Sequence, residues 1–379
     1  MRKAALFWLG LVVALLATLG LVVLSSAGGV NAARIHHNQY HFLTRQFAFC
    51  ALGVVLAFVA AKFDYRNWRK YPVLTIAFYA IMCALLVAVL FTRPINGSSR
   101  WIKLPFFNLQ PSELAKLAAV ICTAVYLDRL AWRVELFWKG GVGSAIIFGI
   151  LAALVMKEPD FGSTMVIAAA GFLVMFLAGV RLRQLFLFGL LGVAVVGWHV
   201  AHNSNRMARI SAFIATSSEQ SGQKTEEQMD PAAKRAEYQS RQSLVAIKNG
   251  GIAGVGLGQS MQKQAYLPEA HTDFIFAIGA EEMGLLYSVG VLTLFTAFFL
   301  ISMYIAEHAP DRFGRYLVCG MAFIIFFQAM FNLGVVCRAL PTKGMALPFF
   351  SYGGTNMLSA FFAVGTIFSV GLRAVKEQH

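Results

Sequence analysis

Long apolar runs recur along nearly the whole chain, and short polar connections separate them. Each run holds roughly 17–25 residues, enough for a helix to cross about 30 Å of hydrocarbon at 1.5 Å per residue. The pattern predicts an all-α integral membrane protein with about ten transmembrane helices, forming a single polytopic membrane domain over 1–379. The predicted spans lie near 5–26, 44–62, 73–92, 112–128, 143–157, 162–180, 184–201, 276–306, 313–338 and 352–373.

One connection is much longer than the others. Residues 202–275, between the seventh and eighth predicted spans, form a polar stretch that exceeds what two packed helices need. Its insert 217–238 is rich in Ser, Gln, Glu and Lys, which is typical of a solvated and partly disordered segment. The glycine series from Gly250 to Gly258 indicates either a chain bent tightly against a lipid headgroup or the helix ends, or a plain flexible loop.

Composition and charge agree with a membrane protein. Hydrophobic residues make up 58% of the 379 residues and charged residues only 13%, against roughly 25% charged in a soluble domain. The net charge of +14 comes from cations in the connections between apolar runs, where they set topology and meet anionic lipid. We therefore expect no nucleic-acid partner. The excess of cations on the side of the N-terminus predicts both termini to be cytoplasmic, with 202–275 extracytoplasmic in a multi-pass protein of the cytoplasmic (inner) membrane.

Two charged residues stand at the start of the fourth predicted span. Glu113 and Lys116 are three residues apart and so share one helix face. A charge within hydrocarbon costs at least about 2.5–3.5 kcal/mol, and such residues normally face a polar interior and are paired. The spacing predicts an ion pair, which is either structural or part of the lining of a substrate cavity.

Two further groups of polar residues lie at the same membrane face. Glu158 and Asp160 flank a proline between the fifth and sixth predicted spans, where two carboxylates are typical either of glycosidase or metal chemistry or of a solvated turn. His271, Thr272 and Asp273 stand where the long connection re-enters the membrane. Partial desolvation there raises the pKa of a carboxylate and makes it a proton acceptor near neutral pH, although Thr272 or Asp273 could instead cap the next helix.

Several cations lie on the outer side, where topology alone does not require them. Converging cations would form a site for an anion such as a pyrophosphate. Three histidines, His36, His37 and His41, occupy a polar connection without the accompanying ligands of a zinc site, so the sequence assigns no certain metal site. The outer cations are Arg45, Arg100, Arg206, Arg209, Arg338 and Lys343.

Five sequence blocks, taken in order, resemble the SEDS family (shape, elongation, division and sporulation) of polytopic peptidoglycan polymerases. The blocks are NGSSRWI at 96–102, QPSELAK at 110–116, EPDFGS at 158–163, PEAHTDFIFA at 268–277 and LPFFSYGG at 347–354. Together they extend the resemblance over nearly the whole chain. The stretch 340–345 and the first block are more similar to the division branch of the family. Thr355-Asn356, where that branch has two serines, Lys248-Asn249 and the long insert 217–238 depart from its pattern.

The resemblance implies a peptidoglycan glycosyltransferase that polymerises lipid II into glycan strands at the outer face of the cytoplasmic membrane, for septal synthesis in cell division. Asp273 stands at the position of the family's essential aspartate and is expected to act as general base on the attacking GlcNAc 4-hydroxyl. The reaction is expected to invert the anomeric centre. The residues predicted to contact substrate are Arg45, Arg100, Glu113, Lys116, Asp160, Arg209, His271, Thr272 and Lys343.

Cofactors and partners follow from the same resemblance. No cofactor is certain, and a divalent cation, Mg²⁺ or Mn²⁺, is an optional helper for the departing pyrophosphate. The expected partners are lipid II, undecaprenyl-pyrophosphate-linked glycan, the membrane, a class B penicillin-binding transpeptidase such as FtsI, and other division proteins. The main alternative is a lipid II flippase, in which Glu113, Lys116 and Asp160 would line a translocation path. A non-catalytic scaffold that recruits a transpeptidase is a third hypothesis.

Overall fold

Long helices follow the apolar runs of the sequence. A computed structural model describes residues 2–92, 100–104, 107–201, 231–264, 266–341 and 344–377. Helices prevail because a backbone in hydrocarbon must satisfy its own hydrogen bonds, and the protein is an all-α integral membrane protein. The helices are α1 (Arg2–His36), α2 (His41–Lys62), α3 (Arg66–Lys70), α4 (Pro72–Leu90), α5 (Pro111–Leu130), α6 (Gly143–Lys157), α7 (Phe161–Ala178), α8 (Leu182–Ala201), α9 (Pro231–Gly250), α10 (Ile275–Glu307), α11 (Arg312–Val336) and α12 (Gly354–Lys376).

Eight helices of the described chain are long and apolar enough to cross a membrane: α1, α2, α4, α6 with the turn before it, α7, α10, α11 and α12. The other two predicted spans coincide with α5 and α8. Helix α5 has 20 residues but carries charged side chains at both ends, and the apolar part of α8 is the shorter Leu182–Val195. The count of ten spans therefore stays a prediction.

Helix α5 lies at the centre of the bundle. It packs against α4, α6, α7, α11 and α12, and most of its side chains are buried. Small residues permit this close approach: Ala115, Ala118 and Ala119 are fully buried, and a Cβ at Gly320 of α11 would collide with Val120. Helices in lipid associate through such packing and through polar contacts, so α5 is where buried polar groups find partners.

A small hairpin leads into α5. Strand β1 (Ile102–Lys103) pairs antiparallel with β2 (Asn108–Leu109). Thr355 at the start of α12 fixes the hairpin, since its hydroxyl donates to the Asn108 carbonyl at 3.2 Å and accepts from the Gln110 N–H at 3.1 Å. The starts of α5 and α12 are thereby held side by side.

The connection between α5 and α6 is rich in exposed aromatic residues. A 3₁₀ turn (Ala131–Glu135) and a π-helical turn (Phe137–Val142) lead into α6, and Gly140 is required because a Cβ there would collide with the Val134 backbone. Trp132 and Trp138 are about three-quarters exposed, at 75% and 76%. Exposed tryptophans at the end of a spanning helix are typical of the membrane–water interface.

The long connection before α10 contains helix α9. The insert 217–238 was predicted to be solvated and partly disordered; its residues 231–238 form the first turns of α9, and residues 217–230 lie outside the described chain. Ala236, Ser240, Ser243 and Ala246 are buried at helical spacing, which gives α9 one packed face. The Ser243 hydroxyl donates to the Val336 carbonyl of α11 at 3.0 Å. Helix α9 packs on α10 and α11.

The glycine series after α9 is bent against α10, which agrees with the prediction of a close approach to a helix. Gly284 interrupts α10 with φ 69° and ψ −157°, and the Val255 and Gly256 N–H groups bond to the Glu281 and Glu282 carbonyls at 3.0 Å each. A Cβ at Gly254 would collide with the Glu282 backbone. The loop therefore fills the gap that the break in α10 leaves.

Two glycines of this loop give a matched test. Gly254 and Gly251 both have positive φ, at 82° and 51°, but only Gly254 has backbone atoms in the way of a Cβ. Gly251→Ala should cost about 1 kcal/mol, the usual effect of positive φ in a non-glycine residue. Gly254→Ala should cost clearly more, because the loop must move off α10. Thermal unfolding in detergent measures both, and equal melting temperatures would contradict the close approach.

Candidate functional site

Asp273 stands at the turn that leads into α10. Its side chain is half-buried, and its carboxylate makes no hydrogen bond with any residue that the structure describes. It does not cap α10 either, because the N-cap residue is Phe274 and no side chain bonds there. The carboxylate lies directly over Gly344, where a Cβ would collide with Oδ2. The backbone therefore sets the position of the Asp273 carboxylate, while the two carboxylate oxygens stay available for bonding.

The backbone around Asp273 is held by the segment 344–353. Asn332 of α11 donates to both the Asp273 and the Met345 carbonyl, at 2.7 Å each. The Ser351 hydroxyl donates to the Thr272 carbonyl at 2.7 Å, and the Tyr352 N–H donates to the His271 carbonyl at 3.0 Å. The backbone carbonyls of three successive residues, 271 to 273, are thus each bonded.

Gln46 of α2 holds that segment in turn. Its amide donates to the Ser351 carbonyl at 3.0 Å and accepts from the Gly353 N–H at 3.2 Å. The Ser351 hydroxyl also accepts from the Leu347 N–H at 2.7 Å. Because Gln46 and Ser351 are both buried, these bonds are protected from competition by water.

His271 and Thr272 face different neighbours. The His271 ring stacks on Phe42, with centroids 4.7 Å apart and planes at 6°, and burial lowers the pKa of its imidazole. The Thr272 hydroxyl donates to the Glu269 carboxylate at 2.8 Å. His271 is thereby a neutral packing group, and Thr272 orders the acidic Glu269 close to Asp273.

The two acidic residues of the turn Glu158–Pro159–Asp160 are buried while Pro159 between them is exposed, which excludes solvated carboxylates. Glu158 and Asp160 are 0% and 4% exposed. Asp160 caps α7 by accepting from the Ser163 N–H at 3.2 Å, and it also accepts from the Ser112 hydroxyl at 3.0 Å and the Gln110 amide at 3.2 Å. The carboxylate of Asp160 thus ties the start of α7 to the start of α5.

Arg100 links this turn to Asp273. Its guanidinium donates to the Glu158 carbonyl at 3.2 Å and to the Pro159 carbonyl. It is close enough to both carboxylates to lower the pKa of Glu158 and of Asp273. Among the described residues, Arg100 is therefore a cation that acts on both Glu158 and Asp273.

Burial and neighbouring anions raise the pKa values of this site. Desolvation raises the pKa of Asp273 to about 7, with further increases from the charges of Glu269 and Asp160. Desolvation and the charge of Asp160 raise the pKa of Glu158 to about 9. A carboxylate with a pKa near 7 and unbonded oxygens exchanges protons readily at neutral pH. Asp273 is thus suited to accept a proton from a bound hydroxyl, whereas Glu158 is protonated at pH 7.

The predicted pair Glu113–Lys116 is an ion pair, with Nζ and Oε1 at 2.8 Å, and both residues are buried. Lys116 also donates to the Gln328 amide oxygen of α11 at 2.7 Å, and Glu113 accepts from the Ser359 hydroxyl of α12 at 3.2 Å. Gln328 in turn donates to the Ala346 carbonyl at 2.8 Å. Through Gln328, the ion pair therefore also holds the segment 344–353, which is the role of a structural pair.

The other predicted contacts are not brought into this cluster. Arg45 is exposed on the first turn of α2 and makes no hydrogen bond or ion pair with a described residue. Arg209 and Lys343 lie outside the described residues. Within the described ranges, no three His, Cys, Asp or Glu side chains are placed to hold a metal ion.

Several residues of the site were not predicted from sequence. Gln46, Gln328, Asn332 and Ser351 are polar residues within apolar runs or blocks, and their burial makes them positioning groups. The signal that could have found them is a polar side chain in a predicted span, which is costly unless bonded. Glu269, two residues before the predicted triplet, is the nearest acidic neighbour in sequence.

Comparisons with known proteins identify the family of the chain. A family model described as "Cell cycle protein", for FtsW, RodA and SpoVE, matches residues 6–375. Among curated proteins, the "Probable peptidoglycan glycosyltransferase FtsW" of Trichlorobacter lovleyi is 37% identical over 95% of this chain and 91% of its own. The protein of the same name from Coxiella burnetii is 35% identical over 96% of this chain and 95% of its own.

Two solved structures share the fold. A chain of a peptidoglycan synthase complex, studied for its coordination of polymerization and crosslinking, has a TM-score of 0.74 and 26% identity, with 97% of this chain and 98% of that chain covered. The rod shape determining protein RodA of Thermus thermophilus has a TM-score of 0.68 and 25% identity, with 97% and 96% covered.

The Glu113–Lys116 pair gives a test of the site's support. Lys116→Met should lower the unfolding free energy by about 3–5 kcal/mol, because it leaves a buried carboxylate without its cation. The matched control is Arg181→Met, which removes the cation of the exposed Glu135–Arg181 pair and should cost about 1 kcal/mol or less. Denaturant or thermal unfolding in detergent measures both. Equal losses would contradict a buried structural pair.

Proposed function

Because the chain belongs to the cell cycle protein family of FtsW, RodA and SpoVE, we propose that Asp273 is the general base of its glycosyltransferase reaction. The protein is a peptidoglycan glycosyltransferase, as its relatives' names state for them, and the substrate of the proposed reaction is lipid II. The observation that carries the role of Asp273 is its carboxylate: it has a pKa of about 7, makes no bond with described residues and is fixed by its backbone.

The reaction joins two lipid-linked sugars. The 4-hydroxyl of the lipid II GlcNAc attacks the anomeric carbon of the growing glycan, and the bond from that carbon to undecaprenyl pyrophosphate breaks. Asp273 accepts the hydroxyl proton, which typically contributes about 10²–10⁴-fold. Attack opposite the leaving group inverts the anomeric centre. The electron pair of the broken bond leaves with the pyrophosphate.

The leaving pyrophosphate gains negative charge and needs a cation nearby. Arg100 is the described cation closest to this role, because it bridges the Glu158–Asp160 turn and acts on the charge of Asp273. Arg45, Arg209 and Lys343 stay predictions as further contacts. Lys116 is already bonded to Glu113 and Gln328, so we assign it to support rather than to substrate. Mg²⁺ or Mn²⁺ also stays a prediction, and no step is assigned to it.

The surroundings of the reaction follow from the same proposal. We place the site at the outer face of the cytoplasmic membrane, with both termini cytoplasmic, as the distribution of cations predicts. A class B penicillin-binding transpeptidase is the expected partner, since one structural relative is part of a peptidoglycan synthase complex. The names of the curated relatives favour septal synthesis in division.

A lipid II flippase is not favoured. The relatives are named glycosyltransferases, and the pair Glu113–Lys116 is fully engaged with neighbouring helices instead of lining an open path. Asp160 is likewise committed to capping α7. The polar residues that a translocation path would need are therefore structural.

Asp273→Asn tests the general base directly. The amide keeps the size of the side chain but cannot accept the proton, so polymerisation of purified lipid II should fall by about 10²–10⁴-fold while the melting temperature stays near that of the parent. Gel analysis of glycan strands, with and without the cognate transpeptidase, measures the loss. Glu135→Gln, at an exposed carboxylate, is the control. Parental activity of Asp273→Asn would refute the assignment.

The pH dependence gives a second test. The ionised form of Asp273 is the active one, so kcat/KM should rise with pH through about 7. Arg100→Ala removes a cation that lowers the pKa of Asp273 and should move this limb to higher pH. Glu269→Gln removes an anion that raises the same pKa and should move the limb to lower pH. Initial rates of polymerisation between pH 5 and 9 measure these shifts, with Lys248→Ala at an exposed position as the control. Shifts of the same sign would contradict the electrostatics.

A further inference from the structure

A second group of buried charged side chains lies where the glycine-rich loop meets α10, away from Asp273. Lys263 and Glu282 form an ion pair with Nζ and Oε1 3.0 Å apart, and both side chains are buried. Ser26 of α1 completes the group: its hydroxyl donates to Glu282 at 2.5 Å and accepts from Lys263 at 2.8 Å. Ser26 of α1 and Lys263 of the loop therefore both meet α10 at Oε1 of Glu282.

The neighbouring Glu281 holds the same loop at other points. Its carboxylate accepts from the Ser260 hydroxyl, from the Gln262 N–H at 3.3 Å and from the Asn249 amide at 3.3 Å. Lys263 also donates to the Gly258 carbonyl at 2.5 Å. The loop from Asn249 to Lys263 is thus fastened along its length to two successive residues of α10.

These two glutamates end a short, separate piece of helix. Residues 275–283 come before the break at Gly284 and span about 13 Å at 1.5 Å per residue. At the break, the Leu285 N–H bonds to the Gly251 and Ile252 carbonyls, at 3.0 and 3.1 Å. The non-helical backbone of Gly284 and these bonds to the loop set the half-helix 275–283 apart from the rest of α10.

Asp273 lies two residues before the other end of the half-helix. That end is held by Asn332, which bonds to the Asp273 carbonyl, and by Ser351, which bonds to the Thr272 carbonyl. At the far end, backbone bonds to the Glu281 and Glu282 carbonyls and the side-chain bonds of Glu281 hold the half-helix against the loop. The ion pair adds the connection to α1, because Ser26 and Lys263 fix Glu282 from two directions.

We propose that Lys263 and Glu282, with Ser26, are positioning residues for Asp273, and that their ion pair sets the orientation of the half-helix 275–283. The proposal rests on the function proposed for Asp273. It assigns no contact with substrate to any of the three residues. A displacement of about 1 Å at a reacting group can cost about 10²-fold in rate, so a small pivot at Glu282 is sufficient to affect polymerisation.

Two variants of the pair test the proposal. Lys263→Met should lower kcat for lipid II polymerisation by about 10- to 100-fold, with little change in lipid II binding. Because this variant leaves Glu282 buried without its cation, it could unfold. The double variant Lys263→Met with Glu282→Met removes both charges, and apolar replacement of a buried pair is often neutral for stability. The double variant should melt near the parental temperature and still show the loss in kcat.

A readout beyond activity separates positioning from general stability. If Asp273 moves relative to Glu269, Asp160 and Arg100, the pH at which kcat/KM reaches half its maximum should move with it. Lys263→Arg keeps the charge and should retain kcat within a few-fold. The control is Lys248→Met, which removes an exposed cation of α9. A double variant with parental kcat and parental pH profile would overturn the proposal, as would losses that follow the melting temperature alone.

The two proposals fail in different ways. Full activity of Asp273→Asn would refute the general base whatever the Lys263 variants do. An inactive Asp273→Asn together with fully active Lys263 and Glu282 variants would leave the general base in place and refute the positioning role.

Discussion

Hydrocarbon offers no hydrogen-bond partners, so each polar group inside this bundle must be bonded by another part of the chain. That constraint decides which helices touch. Lys116 and Glu113 on α5 need acceptors and donors, and Gln328 on α11 and Ser359 on α12 supply them. Through Gln328 the same network reaches the carbonyl of Ala346. A pair of charges that is costly to bury thereby becomes the connection between the centre of the bundle and the segment that holds Asp273.

Asp273 departs from this rule at the site. Its neighbours bond its backbone and leave its carboxylate oxygens without a described partner, next to a glycine that has no side chain to cover them. Desolvation, with a further contribution from the surrounding anions, raises its pKa to about 7. Groups held in this way, by their backbone and by packed neighbours, are suited to react because little reorganisation is needed.

Much of the fold could be predicted from sequence because hydropathy reports directly on membrane burial. The ion pair of Glu113 and Lys116 followed from helical spacing, and the glycines before Asp273 from their need for close backbone approach. The structural role of Gln46, Asn332 and Ser351 could not be predicted, since their partners are up to several hundred residues away. Lys263, Glu281 and Glu282 were missed because a pairing across a loop of about 20 residues has no helical spacing that would predict it. The helix at 231–238 was not predicted, because composition alone does not show the buried serine and alanine face of α9.

The exposed tryptophans in the turns before α6 bear on the depth at which the site lies in the membrane. Trp138 lies in the turn at one end of the 21-residue stretch Phe137–Lys157, and the Glu158–Asp160 turn of the site follows at the other end. A helix of that length spans about 30 Å, one hydrocarbon thickness. Exposed tryptophans typically lie at the membrane–water interface, and with Trp138 at one interface the turn Glu158–Asp160 would lie one hydrocarbon thickness away, at the other. On the function proposed above, the length of α6 would then hold the site at the level of the lipid headgroups, where a lipid-linked sugar is joined.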